Sequence, residues 1–124
     1  MGIANIPQRK ISSYFIKSCD VYFEFLIREY NFSKAAPGIS PPECWIEYRK
    51  GTVTLYVIYE YGDFPWIRVT VKGKDNSLDN IMKKNWNEQP IKRKKGPLEP
   101  NARVDFALTS YSDTLRRHVV ELIE

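Results

Sequence analysis

Val53-Thr54-Leu55-Tyr56-Val57-Ile58-Tyr59-Glu60 and, after a short break, Trp66-Ile67-Arg68-Val69-Thr70-Val71-Lys72 decide the fold of this chain. In the first run Val53, Leu55, Val57 and Tyr59 share one parity, and Thr54, Tyr56, Ile58 and Glu60 share the other. In the second, Ile67, Val69 and Val71 alternate with Trp66, Arg68, Thr70 and Lys72. Successive side chains of a strand point to opposite faces, so each run has an aliphatic face and a mixed one. Two half-buried neighbours in an antiparallel sheet are expected, one face sealed by other elements.

Upstream, Cys44, Ile46 and Tyr48 alternate with Trp45 and Glu47, which extends the sheet by a strand over Cys44 to Arg49. Lys50-Gly51 supplies a tight turn in which glycine accepts positive φ, and Gly62-Asp63 begins the next turn. The meander therefore runs through Cys44–Arg49, Thr52–Tyr61 and Trp66–Lys72. Ser33 to Pro42, with three prolines, one glycine and two serines, reads as a loop. Before it, Ile11, Phe15, Cys19, Tyr22, Leu26 and Tyr30 recur every three or four residues, the period of one helix from Ile11 to about Phe32. Tyr14, Val21 and Phe25 widen its apolar stripe, Ser12 or Ser13 is suited to cap its start, and it should stop near Asn31.

Downstream, Ser77 is a cap for a short helix whose Leu78, Ile81, Met82 and Trp86 share a face, with Lys83, Lys84 and Asn87 toward water. Gln89 to Pro100 reads as an exposed loop, and Arg103 to Ala107 alternates briefly as a fourth strand. Ser110 or Ser112 opens a last helix carrying Tyr111, Leu115, Val119 and Leu122, joined by His118 and Ile123. The expected architecture is a single α+β domain: a long N-terminal helix, an antiparallel meander of three to four strands and a C-terminal helix, in two layers.

A chain of 124 residues with 43% hydrophobic and 14% aromatic content has the size and composition of one globular core. No window approaches eighteen continuous apolar residues, so no membrane span is expected. Met1 to Pro7 lacks a basic segment followed by an apolar core, and the expected location is the cytoplasm. Cys19 and Cys44 are isolated, without CxxC spacing, and read as buried free thiols.

Catalytic constellations are sparse. Nucleophilic catalysis needs a base beside the nucleophile, and the chain has one histidine, His118, on or beside the apolar stripe of the last helix. It is expected to be a core or half-buried histidine bonded to a backbone carbonyl. Cysteine, histidine and carboxylates do not group with zinc spacing, and the six glycines follow neither a P-loop nor a dinucleotide pattern. No cofactor, metal or enzymatic activity is expected.

Two surfaces stand out instead. The net charge of +4 is concentrated: Lys83, Lys84, Lys92, Arg93, Lys94 and Lys95 face a single acid, Glu88, within thirteen residues. The mixed sheet face carries Tyr56, Ile58 and Trp66, with Trp45 beside them. Either the segment around Leu78, Ile81, Met82 and Trp86 folds over that face, or the face is a protein-binding surface. In the second case Trp45, Tyr56, Ile58 and Trp66 are apolar anchors, and Lys92, Arg93, Lys94 and Lys95 steer an acidic partner. The alternative is single-stranded nucleic acid, with the cations on phosphates and Trp86 stacked on a base.

Tyr22-Phe23-Glu24-Phe25-Leu26-Ile27-Arg28-Glu29-Tyr30-Asn31-Phe32, a proline-rich loop, then Cys44-Trp45-Ile46-Glu47-Tyr48 and Val57-Ile58-Tyr59-Glu60-Tyr61 form a pattern that resembles small uncharacterised bacterial proteins of the kind found as immunity proteins beside polymorphic toxins. The likeness covers about Tyr14 to Val71. It implies a small cytoplasmic inhibitor that binds a toxin domain, and it carries over no catalytic residues. The basic second half departs from the acidic character expected of partners for nuclease toxins.

Overall fold

The chain is described by a computed structural model covering residues 8–91 and 99–123, with the side chains of the first helix described from residue 13. It is an α+β fold in which helices cover one face of a six-stranded antiparallel sheet. The strands β1 (Ser33–Lys34), β2 (Gly38–Ser40), β3 (Glu43–Lys50), β4 (Val53–Glu60), β5 (Trp66–Val71) and β6 (Lys74–Ser77) lie in the order β1-β3-β4-β5-β6, with β2 beside β1 on the outer edge of β3.

The aliphatic parity faces the helices as the alternation requires. Leu55, Ile46 and Tyr48 are sealed from solvent, as are Val57, Ile67, Val69 and Cys44. The β3–β4 turn lies one residue beyond its expected place: Lys50 pairs with Val53, leaving Gly51-Thr52 between them, with Gly51 at φ +58°. Lys72 leaves the strand at φ +51° and Gly73 follows at +80°, a turn that hands the chain to β6. Two consecutive positive φ values match the right-handed twist of the flanking strands.

Ser33 to Pro42 is not simply a loop. Its ends pair with β3 as β1 and β2, Ser33 opposite Arg49 and Gly38 opposite Trp45. Proline confines such segments to sheet edges, where a missing N–H breaks no interior ladder. The period-2 signal is too short to show in sequence.

The first helical stretch is two helices, α1 (Gln8–Tyr22) and α2 (Glu24–Tyr30), rather than one. The chain bends at Phe23 (φ −111°, ψ 10°), which is buried against Tyr48 with ring centroids 5.8 Å apart. That bend turns Val21 outward to 72% exposure, so it does not widen the buried stripe, while Phe25 and Leu26 roll onto the core. The helix passes through Ser12 and Ser13 instead of starting at them. Its end is where the sequence puts it: Asn31 adopts the left-handed conformation, and its N–H and that of Phe32 both donate to the Leu26 carbonyl.

The short helix α3 (Leu78–Asn85) starts at Ser77, whose Oγ accepts from the Asn80 N–H at 3.1 Å. Leu78, Ile81 and Met82 join the same core as α1 and the aliphatic strand residues. The last helix, α4 (Pro100–Ile123), absorbs the expected fourth strand at Arg103–Ala107 and begins ten residues before Ser110. Five residues do not separate a period of 2 from one of 3.6. The longer series Val104, Ala107, Leu108, Tyr111, Leu115 and Val119, all buried, is helical. Proline at the first helical position loses no hydrogen bond, and Ser112, which the sequence offered as a cap, is buried within the helix and donates to the Thr109 carbonyl. Polar ties lock the helical layer: Tyr14 donates to Asp105 at 2.6 Å and Tyr111 to Asp79 at 3.1 Å.

Candidate binding face of the sheet

Because α1, α3 and α4 all pack on the aliphatic parity, none of the described helices lies over the mixed parity. The alternative in which the segment around Leu78 and Trp86 folds over the mixed face is therefore overturned: its apolar residues were drawn to the larger aliphatic surface. Register arranges the open face in rows. Glu43 is opposite Glu60; Trp45, Ile58 and Trp66 form the next row; Glu47, Tyr56 and Arg68 the third; Arg49, Thr54, Thr70 and Asp75 the fourth.

All four aromatic and aliphatic residues expected to act as anchors thus lie together. Trp45, Tyr56 and Trp66 are half-buried, and Ile58, at 8% exposure, lies on the opposite side of the sheet from the core. Trp45 lays its indole across the edge strand, where any β-carbon at Gly38 would collide with Cε2, Cζ2 and Nε1 of the ring. Arg68 places its guanidinium 4.4 Å from the Tyr56 ring centre, a cation–π contact. Glu43, Trp45, Tyr56, Ile58 and Arg68 line a depression of about 270 Å³ on this face. Two residues of the set, Glu43 and Arg68, were not read from sequence as part of this surface. Parity puts Arg68 beside Trp66, but only the register brings it over Tyr56.

Charge on the face is divided between engaged and unengaged groups. Arg49 donates to Glu47 at 2.6 Å, and Thr70 donates to Asp75 at 2.5 Å. Glu43, Glu60 and Arg68 have no ion-pair or hydrogen-bond partner for their side chains among the described residues, and Arg68 Nε is shut off from solvent. Lys92, Arg93, Lys94 and Lys95 lie outside the described residues.

His118 occupies a different site. It does not bond a backbone carbonyl; Nε2 lies 2.9 Å from Glu88 and Nδ1 2.8 Å from Glu121, while the ring stacks on Trp86 at 4.6 Å and 10°. Both ring nitrogens can donate only in the protonated ring. Arg117 Nε also donates to Glu88, at 3.0 Å. Hydrogen bonds from Arg117 and then His118 hold the Glu88 carboxyl below its ordinary range. The result is a clamp tying the segment after α3 to α4. One face of Trp86 is occupied by the imidazole, the stack that a nucleobase would need. Larger hollows, about 490 Å³ between Met82, Glu88 and Phe106 and about 570 Å³ between Val69, Ile81 and Leu122, flank α4.

Cys19 and Cys44 are both buried and form no disulfide with each other. Burial pushes the Cys19 thiol well above its ordinary value, which disfavours the nucleophilic thiolate. Among the described residues no three His, Cys, Asp or Glu side chains group as metal ligands, and no helix is long and apolar enough to cross a membrane. Comparisons with protein-family models, with curated proteins and with solved structures return no match.

Proposed function

We propose that the chain is a non-enzymatic binding module that docks a protein partner on the open face of its sheet, as an immunity-type inhibitor does with a toxin domain. The observation that carries this reading is the cross-strand row Trp45–Ile58–Trp66, adjoined by Tyr56 and left uncovered by the described helices. Large amphipathic rings held rigidly by a sheet concentrate binding energy at little entropic cost. Lys92, Arg93, Lys94 and Lys95 add long-range attraction for an acidic partner, which acts on association rate more than on final affinity.

The test uses the full chain as bait in extracts of its source cell, beside a Trp45→Ala/Trp66→Ala double variant shown to be folded by circular dichroism. One stoichiometric partner on the parent chain, lost on the double variant, is the expected result. Equal capture by both, or capture by neither, overturns the proposal.

A further inference from the structure

Resting on that docking surface, we infer what its partner presents: an acidic, an apolar and a basic side chain in line, from alternate residues of one extended segment. The acid meets Arg68, the apolar group meets the Trp45–Ile58–Trp66 row, and the base meets Glu43 and Glu60.

Arg68 specifies the acid. A guanidinium carries five N–H donors and stays charged at any physiological pH. None of those donors has an acceptor among the described residues, and Nε is shut off from solvent. The acids in its own row and the next are engaged, Glu47 by Arg49 and Asp75 by Thr70, and Glu43 and Glu60 lie two rows away. An incoming carboxylate therefore meets a cation already oriented by the Tyr56 ring, through the terminal nitrogens rather than the enclosed Nε.

Glu43 and Glu60 specify the base. They face each other directly across β3 and β4, both exposed and neither with a basic partner among the described residues. Like charges placed opposite one another repel, and a lysine or arginine set between them relieves that repulsion. The apolar row lies between the acidic pair and Arg68.

Spacing then selects the kind of partner. Successive rows on one sheet face are about 7 Å apart, two residues of an extended chain, so the three rows span about 14 Å. Alternate side chains of a docked strand have the same repeat. The depression itself, about 270 Å³, falls below the range of about 300–1,000 Å³ typical of enclosed small-molecule sites.

Selection of a phage-displayed random dodecapeptide library on the immobilised full chain tests this, with each enriched peptide located by ¹⁵N amide shifts. Enriched peptides should read acid-x-apolar-x-base in one chain direction and shift residues of β3, β4 and β5. Arg68→Glu should weaken such a peptide at least tenfold, and replacing its acid by lysine should restore binding to that variant. If Arg68→Glu does not fold, Arg68→Gln should show the same weakening. Peptides that map to the face without an acid at that place, or whose acid is indifferent to Arg68, overturn the inference and leave the docking surface standing. No enrichment, or peptides that map only elsewhere, overturn the docking surface and the inference with it.

Discussion

At Gly38 the absence of a side chain is what lets Trp45 lie flat over the edge of the sheet. The added methyl of Gly38→Ala would occupy the space of the indole, and an aromatic ring cannot bend aside as a flexible chain end does. The substitution is expected to displace the ring, shift its fluorescence to longer wavelength, and cost about 1 kcal/mol in urea denaturation. An unchanged emission maximum would show that Trp45 does not depend on Gly38. Sequence showed Gly38 as one more turn former in a proline-rich stretch. Its pairing opposite Trp45 is a long-range fact that no local pattern encodes.

Strand β4 shows the two faces of the sheet in adjacent residues. Leu55 is fully enclosed by the helical layer, whereas Tyr56 lies half-open on the other side under the Arg68 guanidinium. Leu55→Ala removes buried volume the core cannot refill and should cost about 2–5 kcal/mol. Tyr56→Ala, in the same strand, should cost clearly less, because Tyr56 is only partly buried and lies outside the core. Thermal or chemical unfolding of the two variants checks the order, and the reverse order would mean that the faces have been assigned backwards. Strand alternation was legible here because period 2 is a property of backbone geometry and needs no partner to be read. The helical stretch was less so: periodicity showed its apolar stripe but not the bend at Phe23, which exists because Phe23 packs on Tyr48 of a distant strand.

Across the whole molecule, Glu88 holds the segment after α3 to the last helix through Arg117 and His118. Its carboxyl is held below the usual glutamate value in the fold. A depressed folded value means that the contribution to stability is present above the unfolded value, about 4.3, and disappears as pH falls through the lower folded one. Glu88→Gln should therefore lower Tm at pH 7, and the gap to the parent chain should close below about pH 4. Melting curves across that range decide it; a gap that persists undiminished in acid would place the role of Glu88 in packing rather than charge. The proposed docking surface belongs to this scale as well, since the face is open only because every described helix packs on the other one.

By itself the sequence determined the α+β class, the meander, the parity that would be buried, the cap at Ser77 and the stop at Asn31. Each of these is written in the spacing or backbone preference of neighbouring residues. Tertiary structure alone decided which face α3 covers, that Arg103–Ala107 is helix, and that His118 is gripped by two carboxylates. It also set the register that lines up Glu43 with Glu60 and Tyr56 with Arg68. Those outcomes depend on contacts between residues far apart in the chain, where competing local patterns are settled by which arrangement buries more apolar surface.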